Sequence, residues 1–211
     1  ADDLIKYADS AMYSAKQKGR NNCQLYSPAL TQDMRYRLEI ETALRYALIN
    51  NELYLEYQPI VEMKTGRFVG VEALCRWNSA VLGKVSPASF IQVAEESGLV
   101  VEIGQWVIRQ GFIAAKIINE VSTELLTVSI NLSSRQFVEL NFLLLTKRLL
   151  DETQCDPSWI KFEITEGLLL QDAYEVHQVL DAFAEIGIKI SIDDFGTGYS
   201  ALAYLNKFPI N

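Results

Sequence analysis

Histidine is nearly missing from this chain: His177 is the only one in 211 residues. An imidazole-rich zinc site is therefore excluded, and a histidine-based catalytic triad has little to stand on. Cysteine is scarce as well. Cys23, Cys75 and Cys155 are odd in number, far apart and in no CxxC pair. Reduced, mostly packing thiols in a cytoplasmic setting are expected, not a disulfide framework. No run approaches the ~18–20 apolar residues of a membrane span, and no signal peptide is expected ahead of the first helix. Basic residues are outnumbered, 19 against 27 acidic ones, for a net charge of −8. Without a Lys/Arg stripe the chain is a poor partner for a nucleic-acid polymer. It can still take a small anionic ligand where metal ions screen its carboxylates.

What is present is an ordinary globular composition, 49% hydrophobic and 22% charged, enough for one sizeable core. Residues 2–18 read as an amphipathic helix, with Leu4, Ala8, Ala11, Met12 and Ala15 at helical spacing. Residues 23–26 have the look of a short strand, 27–31 of a breaker, and 32–50 of a second helix with Ile40, Ala43, Leu44, Ala47 and Leu48 on one face. A domain boundary is expected near residues 27–37. From residue 52 strands and helices alternate. Strands are predicted at 53–61 and 68–77 as a hairpin, then at 127–131, 160–165 and 188–193. Helices are predicted from Ser86-Pro87 to Gly98, around 103–117, over 135–153, from Val176 to Gly187 and at 200–206. The class is α/β. Repeated strand–helix units with short connections give most simply a (β/α) barrel, with an open doubly wound sheet as the alternative.

Splitting each strand into two faces brings the chemistry together. Val128 and Ile130 oppose Ser129 and Asn131; Ile160, Phe162 and Ile164 oppose Lys161, Glu163 and Thr165; Ile190 and Ile192 oppose Ser191 and Asp193. In 68–76, Val69, Val71, Ala73 and Cys75 oppose Gly70, Glu72, Leu74 and Arg76. If the branched apolar face meets the helices, then Glu72, Asn131, Glu163 and Asp193 converge near the C-terminal strand ends, with Asp194 on the following loop. Carboxylates this close either protonate or bind cations. Oxygen ligands without histidine or thiolate suit Mg²⁺ or Mn²⁺. Five such ligands, one able to bridge, suggest a two-metal site for phosphoryl displacement. Each residue alone has an ordinary reading as a strand-end charge or a turn former; their joint placement makes the case.

The same residues carry a family resemblance. Tyr57-Gln-Pro-Ile60, Glu72-Ala-Leu-Cys-Arg-Trp77, Ser129-Ile-Asn-Leu-Ser133, Glu163-Ile-Thr-Glu166 and Asp193-Asp-Phe-Gly-Thr-Gly-Tyr-Ser200 resemble the successive motifs of EAL domains, over residues 38–211. The resemblance implies a TIM-barrel-like fold with an antiparallel first strand. It implies hydrolysis of cyclic di-GMP to linear pGpG with Mg²⁺ or Mn²⁺, in bacterial second-messenger signalling. Glu72, Asn131, Glu163 and Asp193 would bind the first metal, Asp193 would bridge to the second, and Asp194 would complete it. Glu72, Asp193 and Asp194 are thus the catalytic candidates. Gln58, Leu74 and Arg76 would contact the dinucleotide, with Arg76 on a phosphate. Glu166 would hold a regulatory loop containing Phe195, Gly196, Thr197 and Gly198, which couples homodimer formation to activity. A receptor that binds cyclic di-GMP without cleaving it is the alternative.

Two further expectations concern the ends. Ala8-Asp-Ser-Ala-Met-Tyr-Ser-Ala-Lys-Gln-Lys-Gly-Arg-Asn21 resembles the closing helix of GGDEF (diguanylate cyclase) domains, where residues at the positions of Lys16 and Arg20 contact substrate phosphates. Residues 1–28 are therefore expected to be the end of such a domain, 29–37 a linker and 38–211 the EAL-like domain. In the EAL family a water-assisting Lys, a second-metal Glu and a supporting Gln come later than Asn211, and Lys207 is not that Lys. A barrel of this kind takes roughly 250 residues. The last strands are thus expected to be missing, leaving this stretch unstable and inactive by itself. The expected location is cytoplasmic, with a membrane tether left open for an upstream segment.

Overall fold

The computed structural model describes residues 2–17, 21–137, 139, 141–169 and 174–193. Its first helix, α1 (Asp2–Gln17), forms where the periodicity predicts it. It rests on α2 (Pro28–Ala47) through buried Ser10 and Ser14, while Leu4, Ile5 and Met12 are exposed. The apolar stripe is there, but no described element covers it. Residues 23–26 are irregular, a correction to the expected strand. Among the described residues no strand pairs with them; the segment instead brings Tyr26 onto Tyr7, ring centroids 4.0 Å apart. The expected breaker at 27–31 is the first turn of α2. Ser27 is extended, and Pro28 follows at the helix start, where its fixed φ and missing N–H cost nothing. The helix runs unbroken through residues 29–37 and buries Ile40, Leu44 and Ala47.

The hairpin forms as predicted. β1 (Leu53–Val61) and β2 (Phe68–Ser79) pair antiparallel from Leu53↔Trp77 to Ile60↔Gly70. β2 then turns back into a short β3 (Gly83–Val85), which the sequence reading missed. Glu52 ties this corner together. Its carboxylate accepts from the Trp77 indole N–H at 2.9 Å and from the Ala80 amide at 3.3 Å. Those donors hold its carboxyl below the ordinary value, the indole most of all.

Next come α3 (Pro87–Ser97) and α4 (Val100–Val121), separated by Gly98, whose φ of 84° stops α3. β4 (Thr127–Leu132) follows. The helix expected over 135–153 is two, α5 (Ser134–Phe137) and α6 (Phe142–Thr153). The reason is geometric. Phe137 and Phe142 both bury in the core, their rings 6.0 Å apart. On one straight helix, residues five apart point about 140° away from each other. The break lets both face inward. A 3₁₀ turn (Pro157–Trp159) leads into β5 (Ile160–Thr165), then α7 (Glu166–Leu169), α8 (Tyr174–Ile186) and β6 (Lys189–Asp193). The expected helix at 200–206 lies outside the described residues.

The sheet order is β1-β2-β4-β5-β6, with β3 on β2; β1 is antiparallel to β2, and β2, β4, β5 and β6 are parallel. This is a TIM-barrel-like α/β arrangement. Helices cover one sheet face, where Val128, Ile130, Ile160, Phe162 and Ile164 are fully buried. Phe162 meets Phe183 edge-on at 5.3 Å and stacks on Phe112 at 6.3 Å, so α4 and α8 converge on β5. Each such side chain contributes about 1.5–3 kcal/mol by leaving water. Gly70 permits the β2–β4 approach: a Cβ there would lie 2.2 Å from the Thr127 carbonyl oxygen. Among the described residues no helix is long and apolar enough to cross a membrane.

Candidate active site

Strand register decides which side chains meet. Glu72 lies opposite Ser129, Asn131 opposite Glu163, Glu163 opposite Ser191, and Thr165 opposite Asp193. Side chains alternate, so Glu72, Ser129, Asn131, Glu163 and Asp193 stand on one face, the one turned away from the phenylalanines. Across the hairpin, Gln58 lies opposite Glu72 and Glu56 opposite Leu74. Glu56, Gln58, Leu74 and Arg76 therefore join the same face. The predicted residues on described strands are all brought to one side of the sheet, toward the C-terminal ends of the parallel strands. Asp194, Phe195, Gly196, Thr197 and Gly198 lie outside the described residues.

The contacts on this face are uneven. Asn131 donates from Nδ2 to Glu72 Oε1 at 2.7 Å, joining β4 to β2. Arg76 donates from Nε to Glu56 Oε2 at 2.7 Å and from Nη1 to the Cys75 carbonyl at 3.1 Å. Glu163 is worse placed. Burial raises its pKa above the ordinary carboxylate value, and the Glu72 and Asp193 charges push the same way. Ser129 and Lys161 act in the opposite sense. The Ser129 hydroxyl is fully buried and reaches no partner within hydrogen-bond geometry among the described residues, although it lies close enough to favour the ionised Glu163. Glu166 is 5% exposed in the first turn of α7, where a carboxylate suits the helix dipole.

A cavity of about 500 Å³ opens beside these residues. Arg76, Asn131, Glu163 and Thr165 line its polar side; Leu74, Phe90, Ile91, Ala94 and Ile103 line its apolar side. Gln136 also faces it, buried, its Oε1 accepting from the Ser133 amide. Gln58 is exposed on β1 and is not part of the lining. The arrangement offers a guanidinium, an acidic face and an apolar slab side by side. That combination can hold a ligand with both phosphate and flat aromatic parts.

A hard divalent cation fits the donor chemistry. The donors are all oxygen, and Glu163 carries repulsion from two neighbours that a cation would cancel. Among the described residues, however, no three Asp, Glu, His or Cys side chains close on one point. Glu72 is turned to the Asn131 amide instead.

Three residues of this region were not singled out from sequence: Glu56, Ser129 and Gln136. Strand alternation was the available signal for the first two, since Glu56 shares a face with Gln58, and Ser129 with Asn131. Nothing in the sequence marks Gln136 as buried.

Comparison with known proteins identifies the family. The profile of the family described as "EAL domain" matches residues 41–211. The biofilm architecture maintenance protein MbaA of Vibrio cholerae is 39% identical over 207 residues, 98% of this chain and 26% of its own length. The cyclic di-GMP phosphodiesterase PdeR of Escherichia coli is 36% identical over 213 residues, 99% of this chain and 31% of its own. Among solved structures, the PaMucR phosphodiesterase in complex with c-di-GMP superposes with a TM-score of 0.78 at 35% identity, over 82% of this chain and 70% of that one. The chain spans about a quarter of the length of the first curated relatives it matches.

Proposed function

Because the chain belongs to the EAL domain family, we propose that the protein it forms part of hydrolyses cyclic di-GMP to linear pGpG in bacterial second-messenger signalling. The observation that carries this reading is the shared face. Four parallel strands deliver Glu72, Asn131, Glu163 and Asp193 to the side and end of the sheet that also carries Arg76 and Leu74. Arg76 takes a phosphate of the substrate, since a guanidinium fork matches phosphate oxygens. Leu74 and Gln58 contact the dinucleotide. Glu72, Asn131, Glu163 and Asp193 would hold Mg²⁺ or Mn²⁺, and Asp193 with Asp194 a second ion. Such ions supply, when bound, activation of water and neutralisation of charge in phosphodiester cleavage. Glu166 and the loop 195–199 link homodimer formation to this site. We read residues 1–28 as the end of a GGDEF domain, on the strength of the motif at residues 8–21.

The test uses the full-length protein with cyclic di-GMP and Mn²⁺, following pGpG by chromatography. Turnover that Asp193→Asn abolishes is the expected result. Turnover undiminished in Asp193→Asn would overturn the metal assignment. Tight binding with no linear product would instead identify a receptor.

A further inference from the structure

Arg76 has five N–H donors in a rigid plane, and the structure shows how two of them are used. Nε donates to Glu56 Oε2 at 2.7 Å, and Nη1 donates to the Cys75 carbonyl at 3.1 Å. Both acceptors belong to the hairpin that carries Arg76. Arg76 lines the cavity and Glu56 does not. The guanidinium is therefore held on its hairpin side, and among the described residues the remaining N–H groups of Nη1 and Nη2 are left for a ligand. Glu56 adds a carboxylate to a face that already carries Glu72, Glu163 and Asp193. On electrostatic grounds alone that is a poor place for one more negative charge beside an anionic substrate. Its contact with Nε gives it a use.

We propose that Glu56 is a positioning residue: it fixes Arg76 by the Nε edge so that the outer Nη edge meets a phosphate of the substrate. The inference rests on the reading of Arg76 given above. A long, flexible arginine that must be ordered on binding loses affinity for that ordering, and one ordered beforehand does not. The contribution is to affinity, not to the chemical step, because Glu56 touches no reacting atom.

The experiment measures calorimetric affinity for cyclic di-GMP, together with KM and kcat, on the full-length protein and its variants. Glu56→Ala is expected to weaken binding about two- to fivefold, the range open to a partly exposed ion pair, and to raise KM with kcat unchanged. Glu56→Gln keeps an acceptor oxygen and is expected to recover most of the loss. In an Arg76→Ala background, Glu56→Ala should have no further effect. Glu62→Ala removes an equivalent charge beside Arg67 at the far end of the hairpin and should leave affinity unchanged. Glu56→Ala binding as tightly as wild type, or more tightly, overturns the proposal and makes Glu56 a bystander or a competitor. Arg76→Ala binding like wild type removes the proposal together with the role of Arg76. Failure of the wild type to bind cyclic di-GMP overturns the functional reading itself.

Discussion

The two faces of β4 and β5 lie only a side chain apart, yet they are built on opposite terms. Toward the helices, Val128, Ile130, Ile160, Phe162 and Ile164 are all at 0% exposure. Toward the other side stand Asn131, Glu163 and the buried Ser129 hydroxyl. One face holds the sheet together. The other accumulates like charge at a cost in stability, which the first face offsets. The same six-residue strands serve both purposes because alternation gives each face every second residue.

Substitutions can separate these terms, and they rank by their expected effect on stability. Phe162→Ala empties the centre of the aromatic cluster and should cost about 3–5 kcal/mol, read by denaturant unfolding. A loss under 1 kcal/mol would mean that the helix face is not where stability resides. Gly70→Ala places a methyl against the Thr127 carbonyl. It should cost about 2–3 kcal/mol by loosening the β2–β4 seam. Unchanged stability would show that the seam can spread.

Two carboxylates then sharpen the contrast, because their shifts have opposite sign. Glu52 is held below its ordinary 4.5, chiefly by the Trp77 indole N–H. Its charged form stabilises the fold above that value, and the contribution fades as pH falls through the lowered folded-state value. Glu52→Gln should lower Tm by about 2–4 °C at pH 7, with the difference shrinking below pH 4.5. Glu163 is raised by burial, with Glu72 and Asp193 adding to it. Its charge works against the fold as pH rises above 4.5. Glu163→Gln should therefore raise Tm by about 1–2 °C at neutral pH, lose that advantage in acid, and abolish turnover in the full-length protein. A fall in Tm at neutral pH would show that the Glu163 charge is compensated in the fold.

Period-two alternation made the site strands legible before any coordinates. It put Glu72, Asn131, Glu163 and Asp193 on one face because apolar residues fill the other without a gap. It did not reveal α5 and α6 as separate helices. The apolar residues of 135–153 fit one amphipathic pattern, and only the demand that Phe137 and Phe142 share a core breaks it. The opening of α2 was misread because Pro28 marks either a break or a helix start, and an extended Ser27 decides for the start. Arg76 had two readings from sequence, a phosphate partner or a strand-end salt bridge; the structure has an ion pair with Glu56, and Glu56 as its partner was not legible, since a diagonal cross-strand contact depends on register. The acids were also expected to converge. In the described residues Glu72 turns to the Asn131 amide, a choice between two acceptable hydrogen-bonding arrangements that no sequence pattern encodes.

The cysteines give the protein a built-in labelling scheme. Burial pushes the Cys75 thiol up to about 11 and the Cys155 thiol up to about 12, so at pH 7 both lack the thiolate that reacts with maleimides. Cys23 is exposed, just after α1 and three residues before the ring of Tyr26 that stacks on Tyr7. Within residues 1–211, a single dye equivalent should therefore mark the α1–α2 junction. It would provide a fluorescent reporter there while leaving the Cys75 strand, and the arginine beside it, chemically untouched.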